Sequence, residues 1–175
     1  MKVTSGFAGG IHIDYPACAR PTIDKVRQAI FSALYSRIDF EGARVLDMFA
    51  GSGALGIESL SRGAEYAVFL EKNKKACEVI RQNIQNCKFR EISEILQIDF
   101  EKYQSQEKFD IIFLDPPYHT NLLQKALKKS IDFAHNETLI VCESDKEITY
   151  SSGFEIVFKK KYGTIYISIL RLKEK

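Results

Sequence analysis

The sequence predicts a single α/β domain whose mostly parallel sheet is closed by an antiparallel hairpin. Three observations carry this. From about residue 43 onward, short apolar runs alternate with stretches of helical periodicity, the pattern of a parallel sheet wrapped by helices. One run, Phe109–Leu114, is almost unbroken in apolar residues, as a central strand covered on both faces requires. Two strand-like runs near the C-terminus meet at Tyr162-Gly163, which reads as a hairpin turn. With 175 residues, 45% of them hydrophobic, the chain can bury a full core without covalent staples.

Taken in order, residues 1–19, with Gly6, Gly9 and Gly10, are expected to form a small glycine-rich arm. A helix follows within 20–37: Ile23, Val26, Ile30 and Leu34 share one face behind Pro21 and Thr22, which can cap it. The core spans 43–175, with strands expected over 44–48, 66–70, 93–98, 109–114 and 138–142. Between them, Asn73 can cap a helix that places Ala76, Ile80, Ile84 and Cys87 on one side. Thr120 can cap another, with Leu123, Leu127 and Ile131 in register. Strands over 154–161 and 164–172 complete the hairpin. The expected order is 3-2-1-4-5-7-6; a parallel sheet closed by an antiparallel hairpin resembles the Rossmann-like class I methyltransferase arrangement.

Charge alone selects no partner, since the net charge is +2. Lys159, Lys160, Lys161, Arg171, Lys173 and Lys175 stand against Glu174 in the last stretch, either as a solvated face or as a surface for nucleic-acid phosphates. Cys18, Cys77, Cys87 and Cys142 form no CxxC pair and no ligand spacing with the histidines, so neither a metal site nor a disulfide framework is expected. A reduced, cytoplasmic setting fits this cysteine usage. No run approaches a membrane span and no targeting segment is visible. A soluble monomer is expected.

The stretch VLDMFAGSGALG at 45–56 carries the first site. A strand ends in Asp47, and Gly51, Gly53 and Gly56 turn the chain into a helix. Glycines allow close backbone approach to a ligand, and a helix start offers N–H groups to an anion. The spacing also matches the dinucleotide fingerprint. Glu71, at the end of the second strand, can accept two ribose hydroxyls in either cofactor class. Asp47 favours S-adenosylmethionine: a carboxylate at that strand tip suits an ammonium group and sits poorly beside a pyrophosphate. Asp99 and Phe100 can serve the adenine, one accepting from its amine and the other packing on its ring; Asp99 reads equally well as an ordinary cap. Phe49 and Ser52 in the loop, and Lys72 beside Glu71, complete the candidate cofactor residues.

Asp115-Pro116-Pro117-Tyr118 follows the fourth strand directly and carries the second site. Strands one and four are neighbours in a 3-2-1-4-5 sheet, so Asp47 and Asp115 are expected to line one crevice. An exocyclic base amine is a poor nucleophile because its lone pair is delocalised. The Asp115 carboxylate and the Pro116 carbonyl can accept its two hydrogens, and Asp115 can stabilise the charge that grows as the nitrogen attacks. Prolines remove N–H groups, leaving the loop rich in acceptors. Tyr118 can stack on the base, which must leave any duplex to reach it. By itself, Pro-Pro also serves simply to stop a strand. No cysteine is placed for methylation at carbon, and His119 reads as an exposed helix-start residue.

With these residues identified, the chain resembles the RsmD family of bacterial 16S ribosomal RNA guanine-N2 methyltransferases. Arg20-Pro21-Thr22 with Val26-Arg27 and Ile30-Phe31, the loop at 45–64, Asp115 to Tyr118, and Lys161-Tyr162-Gly163-Thr164 all have family counterparts. The resemblance implies that Thr22 closes over the methionine end of the cofactor. Asp47, Gly51, Gly53 and Glu71 would then hold the cofactor, and Asp115 to Tyr118 the guanine. It further implies ribosomal RNA, or an assembling small subunit, as partner, with Arg20, Lys160 and Lys161 as candidate phosphate contacts. One departure stands out: Lys2 and Arg20 are the only cations in the first twenty residues, where the family carries a basic cluster. A DNA adenine-N6 methylase, a non-enzymatic RNA-binding module and a nicotinamide-dependent reductase are the competing readings.

Overall fold

The computed structural model describes residues 1–16 and 24–173. Seven strands form one sheet: β1 Arg44–Asp47, β2 Tyr66–Leu70, β3 Ser93–Leu96, β4 Phe109–Leu114, β5 Ala134–Ser144, β6 Phe154–Tyr162 and β7 Ile165–Leu172. Their spatial order is β3-β2-β1-β4-β5-β7-β6, parallel through β5 and antiparallel at β7 and β6. The expected order is therefore observed.

The apolar runs of β1, β2 and β4 are continuous because these central strands are buried on both sides. Val45, Ile111 and Phe113 point into one core, whereas Leu46, Ile112 and Leu114 point into the other. Helices α1 (Asp24–Tyr35), α2 (Ala54–Ser61) and α3 (Lys74–Asn86) cover the first face. Helix α4 (Leu122–Ser130) covers the second through Leu123, Ala126 and Leu127. Among the described residues, no helix is long and apolar enough to cross a membrane.

Several boundaries differ from expectation. β5 begins at Ala134 rather than at 138, because its first residues, His135, Asn136 and Glu137, are polar and carry no strand signal. A register shift between Phe109 and Ile111 accommodates them. There His135 Nε2 lies 3.0 Å from Asp110 Oδ1, and Thr138 Oγ1 donates to the Phe109 carbonyl at 2.6 Å. β3 stops at Leu96 rather than 98, where the Ile98 N–H turns to the Glu71 carbonyl at 3.1 Å. Asn73 caps α3 as expected, accepting from the Ala76 N–H at 3.1 Å. Asn121, without a side-chain bond, holds the cap position of α4; Thr120 stands one residue before it, donating to the Pro117 carbonyl and accepting from the Leu122 N–H at 3.4 Å. The expected cap of α1, Pro21 and Thr22, lies outside the described residues.

The N-terminal arm packs on the first helical layer. Lys2 and His12 form an antiparallel bridge. Gly6 sits at φ +80°, and a Cβ there would lie 1.6 Å from the Ser61 carbonyl oxygen, so only glycine permits this approach. The Phe7 N–H donates to that oxygen at 2.7 Å, and the Ala8 N–H to Ser61 Oγ at 2.9 Å. Buried Glu58 receives the Thr4 N–H at 2.8 Å and pairs with Arg62. Further along, buried Asn83 of α3 exchanges two 2.9 Å hydrogen bonds with the Asp14 backbone and donates to the Ser52 carbonyl. The arm is thereby tied to the glycine loop.

Candidate active site

Four adjacent strands end in acids. Asp47 closes β1 and pairs in register with Phe69 of β2 and Phe113 of β4. Glu71 and Asp115 each lie two residues beyond those partners. Leu114 pairs with Cys142, which brings Asp115 level with Glu143 of β5. All four carboxylates line a single crevice of about 430 Å³ at the C-terminal edge of the sheet. This is where an open α/β sheet binds ligands.

Asp47 is 1% exposed. Burial pushes its carboxyl up to about 7, with the neighbouring Glu71 charge adding to the rise and the Phe49 N–H opposing it. A cation placed beside it would reverse that shift. Glu71 is held by two backbone donors, Gly51 N–H to Oε2 at 3.0 Å and Asn73 N–H to Oε1 at 2.8 Å. Each oxygen retains a further lone pair for a hydroxyl. The Gly51 N–H, one of the donors a pyrophosphate would need, is thus already taken by a carboxylate.

The glycines divide their roles. Gly51 and Ser52 line the crevice with Phe49 and Lys72. Gly53 does not: at φ +78° it faces Ile80, Ile57 and Phe69. A Cβ on Gly56 would fall 2.3 Å from the Phe69 ring. Both glycines thereby allow close packing of α2 against Phe69 of β2.

Phe49, Ile98, Phe100 and Leu122 form an apolar part of the crevice lining. The rings of Phe49 and Phe100 are 4.8 Å apart and tilted by 50°. Asp99 lines the crevice and also caps the following 3-10 turn, accepting from the Glu101 N–H at 3.0 Å. The residues present fit S-adenosylmethionine part by part: a buried carboxylate for an ammonium, a tethered carboxylate for a ribose diol, and an aromatic wall for a purine. Among the described residues, no group of His, Cys, Asp or Glu is arranged to hold a metal.

At the other end, Asp115, Pro116, Pro117 and Tyr118 line the crevice as expected. The Tyr118 hydroxyl donates to Glu143 Oε1 at 2.5 Å. His119 stands outside, with φ 63° and an exposed ring 2.9 Å from Asp145. Lys160 and Lys161 also lie outside, on β6, where their ammonium groups sit 5.4 Å over the Tyr162 ring and 4.8 Å over the Tyr166 ring. Arg20 and Thr22 fall outside the described residues.

The family model described as Conserved hypothetical protein 95 matches residues 1–171. Ribosomal RNA small subunit methyltransferase D of Haemophilus influenzae is 38% identical over 135 residues, covering 73% of this chain and 69% of that protein. The chain belongs to the RsmD family. YlbH of Bacillus subtilis is 37% identical over 98% of both chains. A hypothetical protein of Thermus thermophilus superposes with a TM-score of 0.84 at 27% identity, covering 98% of this chain and 99% of that one. The fold of this RsmD-family chain is thus the Rossmann-like class I methyltransferase fold.

Sequence reasoning missed Tyr15, Ile98, Glu143 and Ile165, all of which line the crevice. Tyr15 arrives from the arm, and burial pushes its phenol up to about 12, so it remains a protonated donor. No local pattern marks Tyr15 or Ile165. Glu143 carried a faint signal, an acid closing an apolar strand just as Asp47 does.

Proposed function

We propose that the chain transfers a methyl group from S-adenosylmethionine to the exocyclic N2 amine of a guanine in small-subunit (16S) ribosomal RNA. The observation that carries this reading is the meeting of Asp47 and Glu71 with Asp115–Tyr118 in one crevice. Its donor half suits a cationic nucleoside cofactor, and its acceptor half suits an amine. The Glu71 carboxylate on the Gly51 N–H speaks against a pyrophosphate and so against the nicotinamide reading. The names carried by family relatives supply the ribosomal RNA part.

Asp47 holds the ammonium of the cofactor, Glu71 the ribose hydroxyls, and Phe100 with Phe49 the adenine. When bound, the cofactor supplies an electrophilic methyl on a sulfonium. Asp115 and the Pro116 carbonyl accept the two amine hydrogens of the base and expose its nitrogen lone pair. Asp115, half-buried at the strand tip, then stabilises positive charge on the nitrogen where solvent screening is weak. Tyr118 packs on the base plane, worth roughly 1–3 kcal/mol for a stacked base. Lys160 and Lys161, on the hairpin that turns toward the crevice through Ile165, contact RNA phosphates, and Arg20 is a further candidate. The chain works as a cytoplasmic monomer on ribosomal RNA or the assembling small subunit.

The test is methylation of small subunits, naked 16S RNA and DNA in parallel with labelled cofactor, followed by nucleoside analysis. Label in N2-methylguanosine from the small-subunit samples is expected. Label confined to adenine of DNA would replace this reading with the adenine-N6 one. An absence of cofactor binding at millimolar concentration would point to a non-enzymatic RNA-binding module.

A further inference from the structure

The crevice contains a buried carboxylate to which the proposed reaction gives no role. Glu143 is 4% exposed, stands level with Asp115 through the Leu114–Cys142 pairing, and accepts the Tyr118 hydroxyl at 2.5 Å. Burying a carboxylate beneath a tyrosine is costly unless the arrangement is used. An apolar residue would be the simpler solution for the end of β5, whose preceding residues Leu139, Ile140, Val141 and Cys142 are all apolar and buried.

The bond closes a mechanical circuit. Asp115 continues β4, so the near end of the Asp115–Tyr118 loop is fixed by the β1–β4 and β4–β5 ladders. Glu143 ties the far end, at Tyr118, to β5, one strand over, and β5 is itself held by β7 through Glu143–Ile167 and Ser144–Tyr166. Pro116 and Pro117 stiffen what lies between by fixing φ. The loop is therefore clamped at both ends by neighbouring strands, with its acceptor carbonyl and its stacking ring set before any substrate arrives.

We propose that Glu143 is a positioning residue for methyl transfer: through the Tyr118 hydroxyl it fixes the ring and the loop that hold the acceptor base. This rests on the reading of Asp115–Tyr118 as the amine clamp. In this proposal Glu143 acts through Tyr118. Its effect is geometric, and displacement of a positioning group by about 1 Å can cost on the order of 100-fold in rate.

Two measurements on the full-length protein test it. The first compares Glu143→Ala, Glu143→Gln, Tyr118→Phe and the double variant Tyr118→Phe/Glu143→Ala in steady-state methylation of small subunits. Glu143→Ala is expected to lower kcat/KM for RNA by about 10- to 100-fold while cofactor affinity stays within about 3-fold. Glu143→Gln keeps an acceptor for the hydroxyl and should recover most of the loss. Tyr118→Phe should match Glu143→Ala, and the double variant should be no worse than either, since both single changes break one link. Losses that multiply in the double variant, or a Glu143→Ala enzyme as active as the parent, would overturn the proposal. The second measurement needs no substrate. Fluorine resonance of protein labelled with 3-fluorotyrosine, with Tyr118 assigned through its Phe variant among the eight tyrosines, is expected to shift and broaden at Tyr118 alone in Glu143→Ala. An unchanged Tyr118 line would also sink the proposal. A parent that methylates no RNA refutes the assigned function only, because the fluorine result still decides the role of Glu143.

Discussion

Asp47 lies beside Phe113 in the β1–β4 ladder, two residues before Asp115, so these two acids end neighbouring strands and open on the same crevice. Their environments differ. Asp47 is sealed from solvent and its carboxyl is pushed up to about 7, while Asp115 is half-buried at the crevice wall. The proposed mechanism gives the first a permanent cation and the second the charge that develops during reaction.

Asp115→Ala should therefore separate binding from chemistry. Cofactor affinity, measured by calorimetry, is expected to stay within about 3-fold, while methyl transfer falls by roughly 100-fold or more, the scale for removing a preorganised charge-stabilising group. Retention of full activity would contradict the amine clamp.

The raised carboxyl of Asp47 gives a pH dependence with a definite sign. Its ordinary value is 3.8 and its folded value about 7, so between those limits the native state binds more protons than the unfolded one. Stability of the cofactor-free protein then falls as pH rises across that window. Asp47→Asn removes the effect. Its Tm should match the parent below about pH 4 and exceed it by a growing margin from there to pH 8, whereas its cofactor affinity should be lower, most clearly at pH 8. Parallel Tm profiles for the two proteins would show that Asp47 is not held protonated.

Asn83→Ala tests the link between arm and cofactor loop. It strips partners from the Asp14 N–H and from the Asp14 and Ser52 carbonyls, a loss of roughly 2–4 kcal/mol for buried polar groups. Thermal unfolding should record it, and amide exchange should rise at Asp14. Cofactor affinity should weaken as well, because Tyr15 and Ser52 both line the crevice. A destabilised variant with unchanged affinity would confine the arm to a structural role.

Replacing Lys160 and Lys161 together with Ala should raise the KM for RNA and leave kcat near the parent value. The slope of log affinity against log salt should drop by about 0.7 per lysine if each meets a phosphate of a single strand. An unaltered slope would return both lysines to the solvated edge of the sheet, where lysine commonly guards an exposed strand.

Much of this arrangement could be read along the chain. Asp47, Glu71 and Asp115 each follow a strand whose apolar run ends abruptly, and a strand end in a parallel sheet is where ligands bind. Asn73 as a cap and a hairpin at Gly163 depend only on their immediate neighbours, although the turn falls on Gly163-Thr164, one residue beyond the expected Tyr162-Gly163. Glu143 directly follows the expected strand over 138–142, but its partner Tyr118 lies 25 residues away, and a glycine such as Gly53 can serve ligand approach or tight helix–sheet packing. The sequence pattern is the same in the two cases.

The sequence by itself determined the element types, the order in which they occur and the three acids that mark the site, since periodicity and turn chemistry act over a few residues. The tertiary structure alone decided that Glu143 comes level with Asp115, that the arm delivers Tyr15 to the crevice, and that the Gly51 N–H is occupied by Glu71. Those outcomes depend on hydrogen-bonded register between strands and on packing across the sheet, which couple residues far apart in the chain and leave no local trace.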